Sequence, residues 1–329
     1  MENERKENTN SGERISNLID YSCSETEWKN CYGSESNFGR FFDKSTLKHP
    51  AKMSFHLLER IFEHLERKFG ISYDSVIVDF MAGTGRTSLV AALRGYRAWN
   101  IELEQNYIDM QKLNIQKLEQ TIGPTDIDVT QGDASRLDRI VWNHEGGKFM
   151  SVKLSGIISP PYENAEIPQF DADLRKALHS DKGKRSVKEM QKKRAELRAT
   201  DGWEGYNVSN SNNVGNLKKD EYRDAMIKIY SQAYALKISP LVIVTKNPTR
   251  NGKLIDLAVN TVDYLQASGY KIIDYHRARL FDKVKSETSD LFPNSEEKIK
   301  GRVSFFKRLS IEKGNVAAEW EDIIFATLD

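Results

Sequence analysis

Apolar residues follow two alternating patterns along the chain. Short, nearly continuous runs at 75–79 (SVIVD), 98–101, 127–130, 153–158, 241–245, 270–275 and 322–328 read as buried strands. Between them the apolar positions recur every three or four residues. Leu57, Leu58, Ile61, Phe62, Leu65 and Phe69 form one such stripe, which predicts an amphipathic helix over 55–69 with Ser54 as its N-cap. Further helices are predicted at 86–93, 104–118, 221–236 and 253–267. Strands alternating with helices imply an α/β sheet, and the last two strands, with no helix between them, imply an antiparallel pair.

Four stretches break this rhythm. Residues 1–20 are polar, charged and poor in aromatics, so no chemistry is expected there. Trp28, Tyr32, Phe38, Phe41 and Phe42 form an aromatic segment, read as a strap packed on the core rather than a cap over a ligand. Residues 166–216 are strongly basic, then rich in Gly, Asn and Ser around Trp203 and Tyr206. Residues 277–318 form a second long insertion, where Arg277, Arg279 and other basic residues are diluted by acids.

Composition narrows the class. Hydrophobic residues make up 39% and charged residues 29%, with net charge +1. These are the proportions of a soluble protein with a highly charged surface. No run approaches the roughly 18 apolar residues of a membrane span, and the N-terminus lacks an apolar signal region, so the cytoplasm is the expected compartment and no membrane partner is expected. Cys23 and Cys31 suit a reducing environment. No run of His and Cys suggests a metal, and none is expected.

The first strand ends at Asp79 and runs into Phe80-Met81-Ala82-Gly83-Thr84-Gly85 before a helix, an arrangement that brings backbone close to a nucleotide-like ligand. A phosphate-binding loop would need Gly at position 80 and Lys at 86; the chain has Phe80 and Arg86. A dinucleotide fingerprint would need Gly where Ser88 stands. The second strand leads to Glu102, suited to accepting two ribose hydroxyls, and the third to Gln131-Gly132-Asp133-Ala134. Either acid alone would suit a helix cap. Two of them, in order behind a glycine turn, point to one ligand.

The fourth strand delivers Ser159-Pro160-Pro161-Tyr162. The exocyclic amine of cytosine or adenine is a poor nucleophile, because its lone pair is delocalised into the ring. Acceptors around the amine hydrogens push the nitrogen towards a tetrahedral geometry, and the Ser159 hydroxyl and Pro160 carbonyl are two such acceptors. Two prolines fix φ and bring no competing N–H. Tyr162 offers a flat face for an extruded base.

This tetrapeptide resembles the catalytic motif of the S-adenosylmethionine-dependent DNA amino-methyltransferases, which act on N4 of cytosine or N6 of adenine. The Ser form is most typical of the N4-cytosine enzymes. Asp79, Phe80, Ala82, Gly83 and Gly85 resemble the family's donor-binding turn, and His49-Pro50-Ala51-Lys52-Met53-Ser54 resembles the motif lining its donor pocket. The resemblance covers 49–165 by motifs and the rest by element order, but not the first 48 residues. It implies a class I, Rossmann-like methyltransferase fold with a seven-stranded, mostly parallel sheet and two long insertions. S-adenosylmethionine would be held by His49, Pro50, Asp79, Phe80, Ala82, Gly83, Thr84, Gly85, Glu102, Asp133 and Ala134. Asp133 would face the exocyclic amine of the donor's adenine.

The expected organisation is an arm and strap at 1–48, a donor-binding and catalytic half at 49–165, and a DNA-contacting insertion at 166–216. The remaining sheet follows at 217–276, a target-recognition insertion at 277–318 and the final strand at 319–329. Lys184, Arg185, Lys192, Lys193 and Arg194 are expected on phosphates, with Trp203 near the displaced base. The partners implied are duplex DNA with a flipped base and a cognate restriction nuclease. C5 methylation is disfavoured, since the Ser159 loop has no cysteine. Three alternatives stay open: an N6-adenine enzyme, an RNA base-amine methyltransferase, and a non-catalytic nucleic-acid-binding protein on the same scaffold.

Overall fold

The computed structural model describes residues 26–29, 31–32, 35–44, 46, 53–144, 151–163, 213–250, 253–285, 297–301 and 318–328. In chain order the elements are β1 (Thr26–Trp28), α1 (Phe55–His64), β2 (Val76–Asp79), α2 (Arg86–Leu93), β3 (Arg97–Glu102), α3 (Gln105–Ile122), β4 (Ile127–Gln131), α4 (Leu137–Asn143) and β5 (Leu154–Ile158). After the first insertion come α5 (Lys219–Ala235), β6 (Leu241–Thr245), β7 (Thr249–Arg250), β8 (Lys253–Leu254), α6 (Leu257–Ala267), β9 (Lys271–Arg279), β10 (Phe281–Lys285), β11 (Glu297–Gly301) and β12 (Trp320–Thr327).

The main sheet has the order β1-β9-β12-β6-β5-β2-β3-β4. β12 runs antiparallel to both neighbours, β6 and β9, and every other pairing is parallel. Counting only the seven expected strands, from β2 to β12, the order is 3-2-1-4-5-7-6 with the last strand reversed, the class I methyltransferase sheet. The eighth strand, β1, comes from the aromatic segment read as a strap: Thr26, Glu27 and Trp28 pair with His276, Arg277 and Ala278.

Alternate residues of each strand face opposite sides, as the two-residue period of a strand requires. Val78, Ile158 and Ile243 join the core under α4, α5 and α6. Ile77, Ile157, Val242 and Phe325 join the core under α1 and α2. Both faces are covered, which is why these strands read as continuous apolar runs rather than as alternation.

Several boundaries moved for identifiable reasons. The predicted helix at 55–69 is α-helical to His64 and finishes as a π-turn over Leu65–Phe69, stopped by Gly70 at φ +60°. Ser54 occupies the N-cap position without a side-chain bond. Glu35 caps the helix instead, its Oε1 accepting from Phe55 N at 3.1 Å. The helix predicted from 253 begins at Leu257, because 249–254 form a small hairpin and Asn247 Oδ1 accepts from Ala258 N at 3.0 Å. Arg277 and Arg279, placed at the start of the second insertion, still belong to β9. Their guanidinium groups lie 5.0 and 4.4 Å from the Trp320 ring centroid. Further into that insertion, β10 and β11 pair as an antiparallel ribbon.

Candidate active site

The turn between β2 and α2 is braced on every side. Asp79, at the buried end of β2, accepts from Met81 N at 3.1 Å and Thr87 Oγ1 at 2.7 Å. Burial pushes its carboxyl up to about 6, against the pull of those two bonds. Gly83 and Gly85 take left-handed φ values of +51° and +74°. A Cβ at Gly85 would lie 2.9 Å from Asn100 Nδ2. Behind the turn, α3 supplies two amide side chains: Gln111 Nε2 donates to Gly83 O at 2.7 Å and Asn114 Nδ2 to Thr84 O at 2.9 Å. Phe80 has its ring in the core and Ala82 and Thr84 are buried, so this part of the motif shapes the turn.

Arg86, where a phosphate-binding loop would carry lysine, turns away from the glycine turn. Its Nη1 donates to Glu35 Oε1 and Oε2 at 3.1 and 3.0 Å and to Met53 O at 2.9 Å. Its guanidinium lies 4.5 Å from the Phe55 ring centroid. The segment before α1 is therefore fastened, through Glu35, to the first helical residue after the glycine turn.

Glu102 closes β3 and is 8% exposed. Its Oε2 accepts from Gly83 N at 2.7 Å and its Oε1 from Glu104 N at 2.9 Å. Burial pushes its carboxyl up to about 7; backbone N–H groups of Glu104, Gly83 and Leu103 pull it down, and the Asp79 charge adds to the rise. An ionised carboxylate has about four lone-pair sites, so the bonds from Gly83 N and Glu104 N do not exhaust its acceptor capacity. Asp133 also performs the capping role its position allowed: Oδ1 accepts from Ser135 N at 2.8 Å at the start of a short turn that includes Ala134. Its side chain remains partly exposed. A glycine turn with two left-handed positions, an acid after β3 and an acid after β4 fit the sugar and base of an adenosyl donor.

β5 is buried along its whole length, and Ser159 emerges exposed at its carboxyl end. Pro160 is buried, while Pro161 and Tyr162 are partly so. Tyr222 on α5 donates its hydroxyl to Pro161 O at 2.9 Å, and Lys246 Nζ lies 6.0 Å from the Tyr162 ring centroid. Because β5, β2, β3 and β4 are adjacent and parallel, Ser159, the glycine turn, Glu102 and Asp133 share one sheet edge. This is the crevice where open α/β sheets bind ligands.

Tyr222, Lys246, Glu104 and Asn213 were not singled out in the sequence. Asn213 Nδ2 donates to buried Glu104 at 3.4 Å, anchoring the chain where it returns from the first insertion. Tyr222 had no signal beyond its helix, since its partner is a backbone oxygen 61 residues away. Lys246 follows β6 at the same edge, which was a legible clue. His49 and Pro50 lie outside the described residues, as do Lys184, Arg185, Lys192, Lys193, Arg194 and Trp203.

Residues 2–113 match the family described as DNA methylase, of the N6/N4 methyltransferase type. The match begins well before residue 49, so the N-terminal segment is part of the likeness after all; it spans the donor turn and Glu102 and stops before Ser159. No curated protein matches the chain. Among solved structures, a precorrin-6y C5,15-methyltransferase from Geobacter metallireducens has a TM-score of 0.45 at 11% identity, covering 91% of this chain and 98% of that one. TrmN from Thermus thermophilus has a TM-score of 0.41 at 12% identity, covering 88% of this chain and 53% of that one. A putative RNA methyltransferase from Pyrococcus horikoshii has a TM-score of 0.39 at 14% identity, covering 86% and 89%. Likenesses at this level decide nothing about substrate. Residues 2–113, with the donor turn and Glu102, are thus similar to the N6/N4 DNA methylase family, while Asp133 and Ser159 lie beyond the matched segment.

Proposed function

We propose that this protein is an S-adenosylmethionine-dependent DNA methyltransferase that acts on the N4 amine of a cytosine turned out of duplex DNA. The observation that carries the reading is Ser159, exposed at the end of β5 beside the donor crevice, with the following loop held by Tyr222. When bound, S-adenosylmethionine supplies an electrophilic sulfonium methyl group. Ser159 Oγ and the Pro160 carbonyl accept the two amine hydrogens, which localises the nitrogen lone pair for attack. The surplus proton is then lost to water. Tyr162 stacks on the base, and Tyr222 keeps the acceptor loop from rotating. Positioning and electrostatics carry the reaction. Lys184, Arg185, Lys192, Lys193 and Arg194 hold the DNA backbone, with Trp203 beside the displaced base. The activity would suit the modification half of a restriction system.

The test is incubation of the purified protein with mixed-sequence duplex DNA and labelled S-adenosylmethionine, followed by nucleoside digestion and mass spectrometry. Label in N4-methylcytosine is expected. Label in N6-methyladenine would keep the crevice and overturn the target base; label in RNA alone would overturn the DNA substrate.

A further inference from the structure

We propose that His64, Asp274 and His276 form a binding site for one zinc ion, on the strand-β9 side of the sheet and separate from the methyl-transfer crevice. Asp274 and His276 are two apart on β9, so they share a face, and His64 is the last residue of α1 lying over that face. His64 Nε2 is 2.7 Å from Asp274 Oδ2, His276 Nε2 is 3.1 Å from the same oxygen, and the two Nε2 atoms are 3.3 Å apart. Three atoms able to ligate a metal therefore lie close around one point. Tetrahedral zinc at about 2.0–2.1 Å from its ligands separates them by about 3.3 Å. Only the His64–Asp274 edge must open appreciably, by about 0.6 Å. Imidazole and carboxylate together suit this ion.

The surroundings hold the ligands in place. The Trp28 ring stacks on His276 at 4.4 Å and 21°, and Phe325 packs against His64 at 4.8 Å. Side-chain exposure is 3% for Asp274, 5% for His276 and 14% for His64, so the polar triad sits within an apolar, aromatic wall. Just beyond His64 the helix passes into its π-turn, a local irregularity that recurs at functional sites. That turn also brings Lys68 to the triad, with Nζ 2.7 Å from Asp274 Oδ2. The lysine side chain is 42% exposed, so it can withdraw into water when a divalent cation enters. It competes for the ion's position. With β12 and β6 standing between β9 and β5, the ion would have no part in methyl transfer. It would tie the end of α1 to β9, under the Trp28 ring of β1.

The test uses full-length protein stripped with a chelator and then titrated with zinc chloride, reading bound metal by mass spectrometry and the unfolding midpoint by calorimetry. One zinc per chain is expected, with a midpoint that rises with zinc concentration. Stoichiometric uptake should be lost in both His64→Gln and His276→Gln. Lys68→Met, which removes the competing cation and keeps all three ligands, should bind zinc more tightly than the wild type. No uptake by the wild type, undiminished uptake by the His276→Gln protein, or unchanged affinity in Lys68→Met would each overturn the proposal.

Discussion

Tyr222 and Ser159 act on the same loop in different ways. In the proposed mechanism Ser159→Ala removes an acceptor that the amine needs only while it reacts, so transfer should fall by about 10²–10³-fold, the size seen when one preorganised transition-state contact is lost. Calorimetric donor binding should stay unchanged; normal turnover would sink the mechanism. Tyr222→Phe removes a bond to the Pro161 carbonyl and should lower kcat while donor affinity holds, at a stability cost of about 1 kcal/mol. Glu102 makes a pH prediction. Its carboxyl is pushed up to about 7, and in the proposed donor site only the ionised form would accept ribose hydroxyls with both oxygens. Donor affinity should therefore drop as pH is lowered from 8 to 6, and isothermal titrations of Glu102→Gln should be weaker and flat across that range.

The strap and α1 stand or fall with the pairing of Glu35 and Arg86. Glu35 caps α1 and neutralises a guanidinium whose side chain is 6% exposed. Removing one partner of a buried pair costs about 3–5 kcal/mol. Glu35→Ala should approach the lower end, because the Glu35 side chain is itself 22% exposed. Denaturant midpoints check this; a loss below 1 kcal/mol would return the segment to a loosely held arm. Sequence periodicity located α1 correctly but assigned its cap to Ser54. The side chain that makes the cap bond lies 20 residues away, and local spacing carries no record of such a partner.

For the molecule as a whole, pH and salt make separate predictions. Burial pushes Asp79 and Asp322 up to about 6 and Glu102 up to about 7. Unfolding returns these groups to water, where they ionise near pH 4, so the folded state binds more protons between those limits. Their contribution to stability is full below the unfolded values and lost as pH rises through 6 to 7. Glu66 is shifted the opposite way, lowered by its bond to Arg94. The unfolding midpoint of Glu102→Gln should accordingly vary less between pH 6 and 8 than that of the wild type. Salt tests the nucleic-acid partner. Replacing Lys192, Lys193 and Arg194 with Gln together should weaken DNA binding and reduce the slope of log affinity against log salt by up to about 3. An unchanged slope would make that basic run a solvated surface.

Fold class and the order of the donor elements were legible from the chain alone. Buried strands must be apolar throughout, the turn after β2 needs glycine at its left-handed positions, and an acid is useful only at the crevice end of a strand. These are local requirements, written where they act. The eighth strand, the Glu35 cap, the brace of Tyr222 on Pro161 and the convergence of His64 with Asp274 and His276 were decided by tertiary structure. Each joins residues that are between 20 and 250 positions apart, and hydrophobic periodicity says which face a side chain takes, not which distant partner it will meet there.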